Sequence, residues 1–145
     1  MIIDSHLHIW SLARGDYHWL TKDLGPLYAD HSLSDIEPQF EQRGISKCLL
    51  VQAADSVAET QFLLEKAHAN REYVVGVVGW INFNDGNACE QLKLLARDPL
   101  LVGIRPMLQD ISPDNWVLQD KFRAIFNAMI ELDLVFDALV KEEQL

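Results

Sequence analysis

His6 and His8 stand one residue apart in the first apolar run of the chain, Met1-Ile2-Ile3-Asp4-Ser5-His6-Leu7-His8-Ile9-Trp10. On a β-strand, residues i and i+2 share a face. Both imidazoles therefore leave the strand on one side, at its C-terminal end. Such a pair can bind a metal, polarise a carbonyl or move a proton. The segment that follows, 11–32, is long, irregular and rich in aromatic and charged residues. A loop of that length after a first strand reads as a functional lid, to which His18 and Trp19 would belong.

The histidines need elements to hold them. Four further apolar runs follow: 46–53 (SKCLLVQA), 73–82 (YVVGVVGWIN), 100–105 (LLVGIR) and 134–140 (LVFDALV). They are β-branched and nearly continuous, as strands buried on both faces of a parallel sheet are. Helices are predicted between them. Ser34-Asp35-Ile36-Glu37 reads as a capping box, with Pro38 in the first turn and Gly44 past the C-terminus. Ser56-Val57-Ala58-Glu59 is a second box, opening a helix to about His68, and Asn87-Ala88-Cys89-Glu90 is box-like. A fourth helix is expected from Ser112-Pro113 or Asp114, with Phe122, Ile125, Phe126, Met129 and Ile130 at helical spacing.

The alternation predicts an α/β fold, a parallel sheet of about five βα units in a single domain, 1–145. Two architectures accept it: an open doubly wound sheet of flavodoxin type, or part of a (βα)₈ barrel, which needs roughly 250 residues when whole. In both, function gathers at the C-terminal ends of the strands. There lie His6, His8, Gln52, Trp80, Asn82, Arg105 and, near the last strand, Asp137.

Composition removes several classes. A formal charge of −10 over 145 residues argues against nucleic acid or an anionic membrane as partner. No run is long enough to span a membrane and no basic leader precedes an apolar stretch, so a cytoplasmic location is expected. Cys48 and Cys89 have no metal-binding spacing and read as reduced thiols. No glycine-rich phosphate loop follows the first strand, and no GxSxG elbow occurs.

Ile3-Asp4-Ser5-His6-Leu7-His8-Ile9-Trp10 resembles the first-strand motif of the amidohydrolase superfamily, in its amidohydrolase 2 branch of 2-pyrone-4,6-dicarboxylate lactonase-like and fuconolactonase-like proteins. Leu50-Val51-Gln52-Ala53, Val77-Val78-Gly79-Trp80-Ile81, Gly103-Ile104-Arg105-Pro106-Met107-Leu108-Gln109 and Phe136-Asp137-Ala138-Leu139-Val140 resemble strands two to five in order. The resemblance implies the N-terminal half of a (βα)₈ barrel and hydrolysis of a lactone or related carboxylated small molecule. It makes His6 and His8 a metal-binding or carbonyl-polarising pair and Arg105 a contact for a substrate carboxylate. Gln52, Asn82 and Trp80 become lining residues. It admits a divalent metal such as zinc on His6 and His8, and equally none.

The branch also uses a later histidine and a final aspartate, and no histidine follows His68 here. Asp4 and Asp137 are the nearby carboxylates. The expectation is an incomplete site, with self-association or a second chain completing the barrel through the open edges of the first and fifth strands. A catalytically inactive remnant or interaction module of the same fold is the alternative function, and a flavodoxin-like small-ligand binding domain is another.

Overall fold

The computed structural model describes residues 1–144. Five strands form one parallel sheet: β1 (Ile2–Leu7), β2 (Ile45–Val51), β3 (Val74–Gly79), β4 (Leu101–Ile104) and β5 (Val135–Phe136). Their spatial order is β1-β2-β3-β4-β5. Each new strand is laid beside the last, as in a barrel under construction; a flavodoxin-type sheet would place β1 inside the order. The sheet is a half-barrel, and the flavodoxin alternative falls away.

Helices α1 (Leu33–Arg43), α2 (Val57–Ala69), α3 (Ala88–Leu95) and α4 (Arg123–Glu131) link the strands. The main core lies between sheet and helices, around Leu50, Leu63, Val77, Leu92, Ile104 and Phe122. A smaller cluster of Trp10, Tyr17, Leu20, Ala53 and Ala54 sits beneath the loop that follows β1.

The central strands are buried as the apolar runs predict. The outer two are not. Ile2 and Ile3 on β1 are 54% and 43% exposed, and Val135 on β5 is 62% exposed. Each outer strand has one unpaired flank.

Local differences have local causes. The carboxylate of Asp35 accepts from the Ser32 N–H (2.7 Å), so the α1 cap is centred two residues earlier than Ser34, and Pro38 falls in the second turn. Gly44 ends α1 in the left-handed region, at φ 66°. Ser56 does cap α2, accepting from the Glu59 N–H at 3.0 Å. Asn87 makes no side-chain cap. The fourth helix starts only at Arg123, because 108–122 runs through three 3₁₀ turns that fold Trp116 and Phe122 against Phe83. In place of the run 134–140, only Val135 and Phe136 pair as strand.

Candidate active site at the strand ends

The end of β1 carries the histidines. Their rings meet edge to face with centroids 4.8 Å apart, and the two Nε2 atoms are 3.1 Å apart. The backbone N–H of His6 donates to Asp4 Oδ1 at 3.0 Å, which makes Asp4 a support for the strand end. His8 Nδ1 lies 2.8 Å from the Val51 carbonyl oxygen. A carbonyl can only accept, so Nδ1 carries the proton and His8 Nε2 presents a lone pair to His6. Burial lowers the His8 pKa, the Val51 bond opposes the shift, and Arg105 and His6 add to it. His8 is thus held as a neutral imidazole.

Arg105 arrives from the end of β4, 4% exposed. Its Nη1 stands 3.3 Å from His6 Nε2, and its Nη2 donates to the Gln52 carbonyl. Gln52, wholly buried at the end of β2, returns the contact through Nε2 to the Arg105 carbonyl at 2.7 Å. Burial draws the Arg105 pKa down and Asp137 opposes it. Three strand ends are thereby tied together. Asp137 extends the β4–β5 pairing through its N–H to the Ile104 carbonyl.

The loop after β1 folds over this end of the sheet. Trp19 Nε1 donates to the Ala53 carbonyl at 2.6 Å. Trp19 and Trp80 line a cavity of about 420 Å³ together with Asp16, His18, Asp55 and Met107. Trp80 is clamped by Thr60, whose Oγ1 accepts from its N–H (2.7 Å) and donates to its carbonyl (2.9 Å). Gly79 makes room for that clamp, since a Cβ there would come within 2.4 Å of the Thr60 methyl group.

Not every predicted residue joins this group. Asn82 is exposed, and its Oδ1 accepts from the Asn84 N–H in a turn. His31 packs on Trp10, and His68 pairs with Asp98 at 2.8 Å. Sequence reasoning missed the support beneath the loop: Arg14, Asp16, Tyr17 and Glu59. Glu59 had a signal of its own, but that signal is the same as a capping-box residue's. Instead of closing the cap, its carboxylate accepts from the Ala53 N–H (3.1 Å) and the Tyr17 hydroxyl (2.7 Å).

Zinc, the metal admitted by the first-strand motif, can be tested against this geometry. Two nitrogens about 3.3 Å apart suit adjacent corners of a zinc tetrahedron, and a catalytic site takes three protein ligands plus water. His6 and His8 supply two corners. Among the described residues no three His, Cys, Asp or Glu side chains converge as a ligand set. The Arg105 guanidinium also lies against His6 Nε2, where a second cation would meet its charge. The described residues do not fit a catalytic zinc on their own.

No family model matches the chain. Two curated relatives do, an L-fucono-1,5-lactonase of Burkholderia ambifaria at 36% identity and one of Burkholderia multivorans at 32%, each over 99% of this chain. The chain spans about half of their length, 49% and 48%. A crystal structure of an amidohydrolase from Burkholderia multivorans with bound zinc superposes with a TM-score of 0.88 at 31% identity, covering 99% of this chain and 50% of that one.

This chain is similar to one half of an amidohydrolase.

A probable 2-pyrone-4,6-dicarboxylic acid hydrolase from Acinetobacter baumannii shares the fold, with a TM-score of 0.70 at 14% identity over 94% of this chain and 48% of that one. The half-length match to amidohydrolase barrels agrees with the half-barrel sheet. No helix among the described residues is long and apolar enough to cross a membrane.

Proposed function

We propose that this chain supplies one half of the active site of a lactone hydrolase. Water adds to the lactone carbonyl, the ring C–O bond breaks, and a hydroxy acid leaves. The observation that carries this reading is the junction of His6, His8 and Arg105 on one end of the sheet in a homologue of L-fucono-1,5-lactonases.

Each residue has a role there. The His6 Nε2–H donates to the His8 Nε2 lone pair, and Arg105 Nη1 stands 3.3 Å from the same His6 nitrogen; when a lactone enters, both can turn their N–H to the carbonyl oxygen as it gains negative charge. His8, neutral and anchored on Val51, orients His6. Gln52 holds the guanidinium from behind, and the cavity between Trp19 and Trp80, which begins at Ala53 one residue past Gln52 and is lined by none of His6, His8 and Arg105, would take the ring beyond the carbonyl. The cavity between the tryptophans is lined by Asp16, Asp55 and Asp110 and by no lysine or arginine. That lining favours an uncharged, hydroxyl-bearing lactone over a carboxylated one, because aspartates accept from hydroxyls and repel carboxylates. We assign no step to a metal. The acceptor of the water proton is expected from a second half-barrel, in the same polypeptide or another copy, seated on the free edges of β1 and β5. A cytoplasmic setting belongs to the same proposal.

The test is hydrolysis of L-fucono-1,5-lactone by the purified chain, with and without added zinc, beside H6A and R105A. Loss of at least about a hundredfold in both variants supports the roles, the size expected when a donor to a developing oxyanion is removed. Equal activity in H6A and the unchanged chain overturns them. No turnover from the chain in any oligomeric state favours the second reading, a non-catalytic module of this fold, which the two-ligand site supports.

A further inference from the structure

Three consecutive carbonyls at the end of β2 each hold one functional side chain. Val51 accepts from His8, Gln52 from Arg105 and Ala53 from Trp19. The segment Val51–Ala53 is therefore the template on which the site is set out. Its last peptide is gripped from both sides: Trp19 takes the Ala53 carbonyl, and Glu59 takes the Ala53 N–H.

Glu59 is an odd residue for this place. It is wholly buried, and a lone buried carboxylate is costly. Its charge is balanced by Arg14, whose Nε lies 3.4 Å from Oε2. Arg14 also bonds Asp16 at 2.5 Å, and Ser56 donates to the same Asp16 oxygen at 2.7 Å. Tyr17, two residues before Trp19, donates its hydroxyl to Glu59 Oε2 at 2.7 Å. A hydrophobic residue at 59 would fill the space. It would not link the loop to the Ala53 peptide.

We infer that Glu59 and Tyr17 are positioning residues that set where Trp19 stands relative to His8 and Arg105, and so what ring the cavity between Trp19 and Trp80 admits. The placement of Trp19 follows from the contacts alone. Its consequence for ring choice rests on the reading of that cavity as the substrate site.

The deciding experiment is nuclear magnetic resonance on the ¹⁵N-labelled chain, with Y17F, E59Q and E59A. Tyr17→Phe keeps the ring and deletes one hydrogen bond. The Trp19 indole N–H is expected to shift and to exchange about tenfold faster or more, as expected of a segment released into local opening. The Trp116 indole and the His8 ring resonances should stay in place. E59Q, which keeps the shape and an acceptor oxygen, should fall between Y17F and E59A. A general structural role would move Trp116 and the melting temperature along with Trp19, and that result overturns the inference. So does a Trp19 signal unchanged in Y17F and E59A. These outcomes do not depend on turnover. In an active preparation, Y17F should raise KM for L-fucono-1,5-lactone with kcat held within about twofold, since only ring placement is touched. An unchanged KM beside a displaced Trp19 removes the consequence for ring choice and leaves the hydrolase reading standing.

Discussion

The ends of β1 and β2 do opposite jobs. The end of β1 presents side chains, the exposed His6 and the half-buried His8, on a strand whose outer edge is open. The end of β2 is sealed, with Val51 and Gln52 at 0% exposure, and it presents backbone carbonyls. Side chains are displayed on the loose strand and held by the carbonyls of the tight one. Reactive groups need room for a ligand, whereas the groups that orient them work best where water cannot compete for their hydrogen bonds.

The largest expected effect separates the two strands by packing. Leu50→Ala on β2 should cost about 3 kcal/mol by urea denaturation, the usual loss for a fully buried leucine. Ile3→Ala on β1, half-exposed, should cost well under half of that. Equal costs would mean that β1 is covered in solution, and a doubled mass by light scattering would then identify a second copy as its cover.

Next comes the tie between the strands. Gln52→Ala removes the donor to the buried Arg105 carbonyl and should destabilise the chain by about 2 kcal/mol. A cost near zero would show that the end of β2 is no template. Ser56→Ala removes the cap of α2 and the donor to Asp16, and should cost about 1 kcal/mol in the same assay.

Smaller still is the α1 cap. Hydrogen bonds from Ser32 lower the Asp35 pKa below its ordinary 3.8. A lowered carboxyl contributes stability above its unfolded value and loses it as pH falls through the folded one. The gap in urea midpoint between the unchanged chain and D35N should therefore close as pH is taken from about 6 to about 3. The least effect concerns the thiols. Burial pushes Cys48 up to about 11, so a thiol reagent near neutral pH should label the half-exposed Cys89 and spare Cys48 until the chain unfolds.

Legibility in the sequence followed the same division. The His6-x-His8 pair could be read because period 2 alone puts both rings on one face. The placing of Arg105 and Gln52 at strand ends could be read because Arg105 closes its apolar run and Gln52 stands one residue before the close of its own. The late start of α4 and the shortness of β5 could not be read. Phe122 is at helical spacing from Ile125, Phe126 and Met129, and only its packing on Phe83 and Trp116 shows that it belongs to a turn. Asn82 closes its run as Arg105 closes its own, and a local turn took it instead.

By itself the sequence determined the kind of fold, the lineage and the side chains that could react, because those depend on periodicity, composition and residue type. Tertiary structure alone decided what holds them. Val51, Gln52 and Ala53 accept through carbonyls that every residue possesses, so no residue type marks the role. Glu59 looked like half of a helix cap until the chain brought Tyr17 and Ala53 to its two oxygens. The physical reason is distance along the chain. Period and propensity act over a few residues, whereas Tyr17 and Glu59 meet across 42 positions and Arg105 and His6 across 99, and only the folded sheet brings them together.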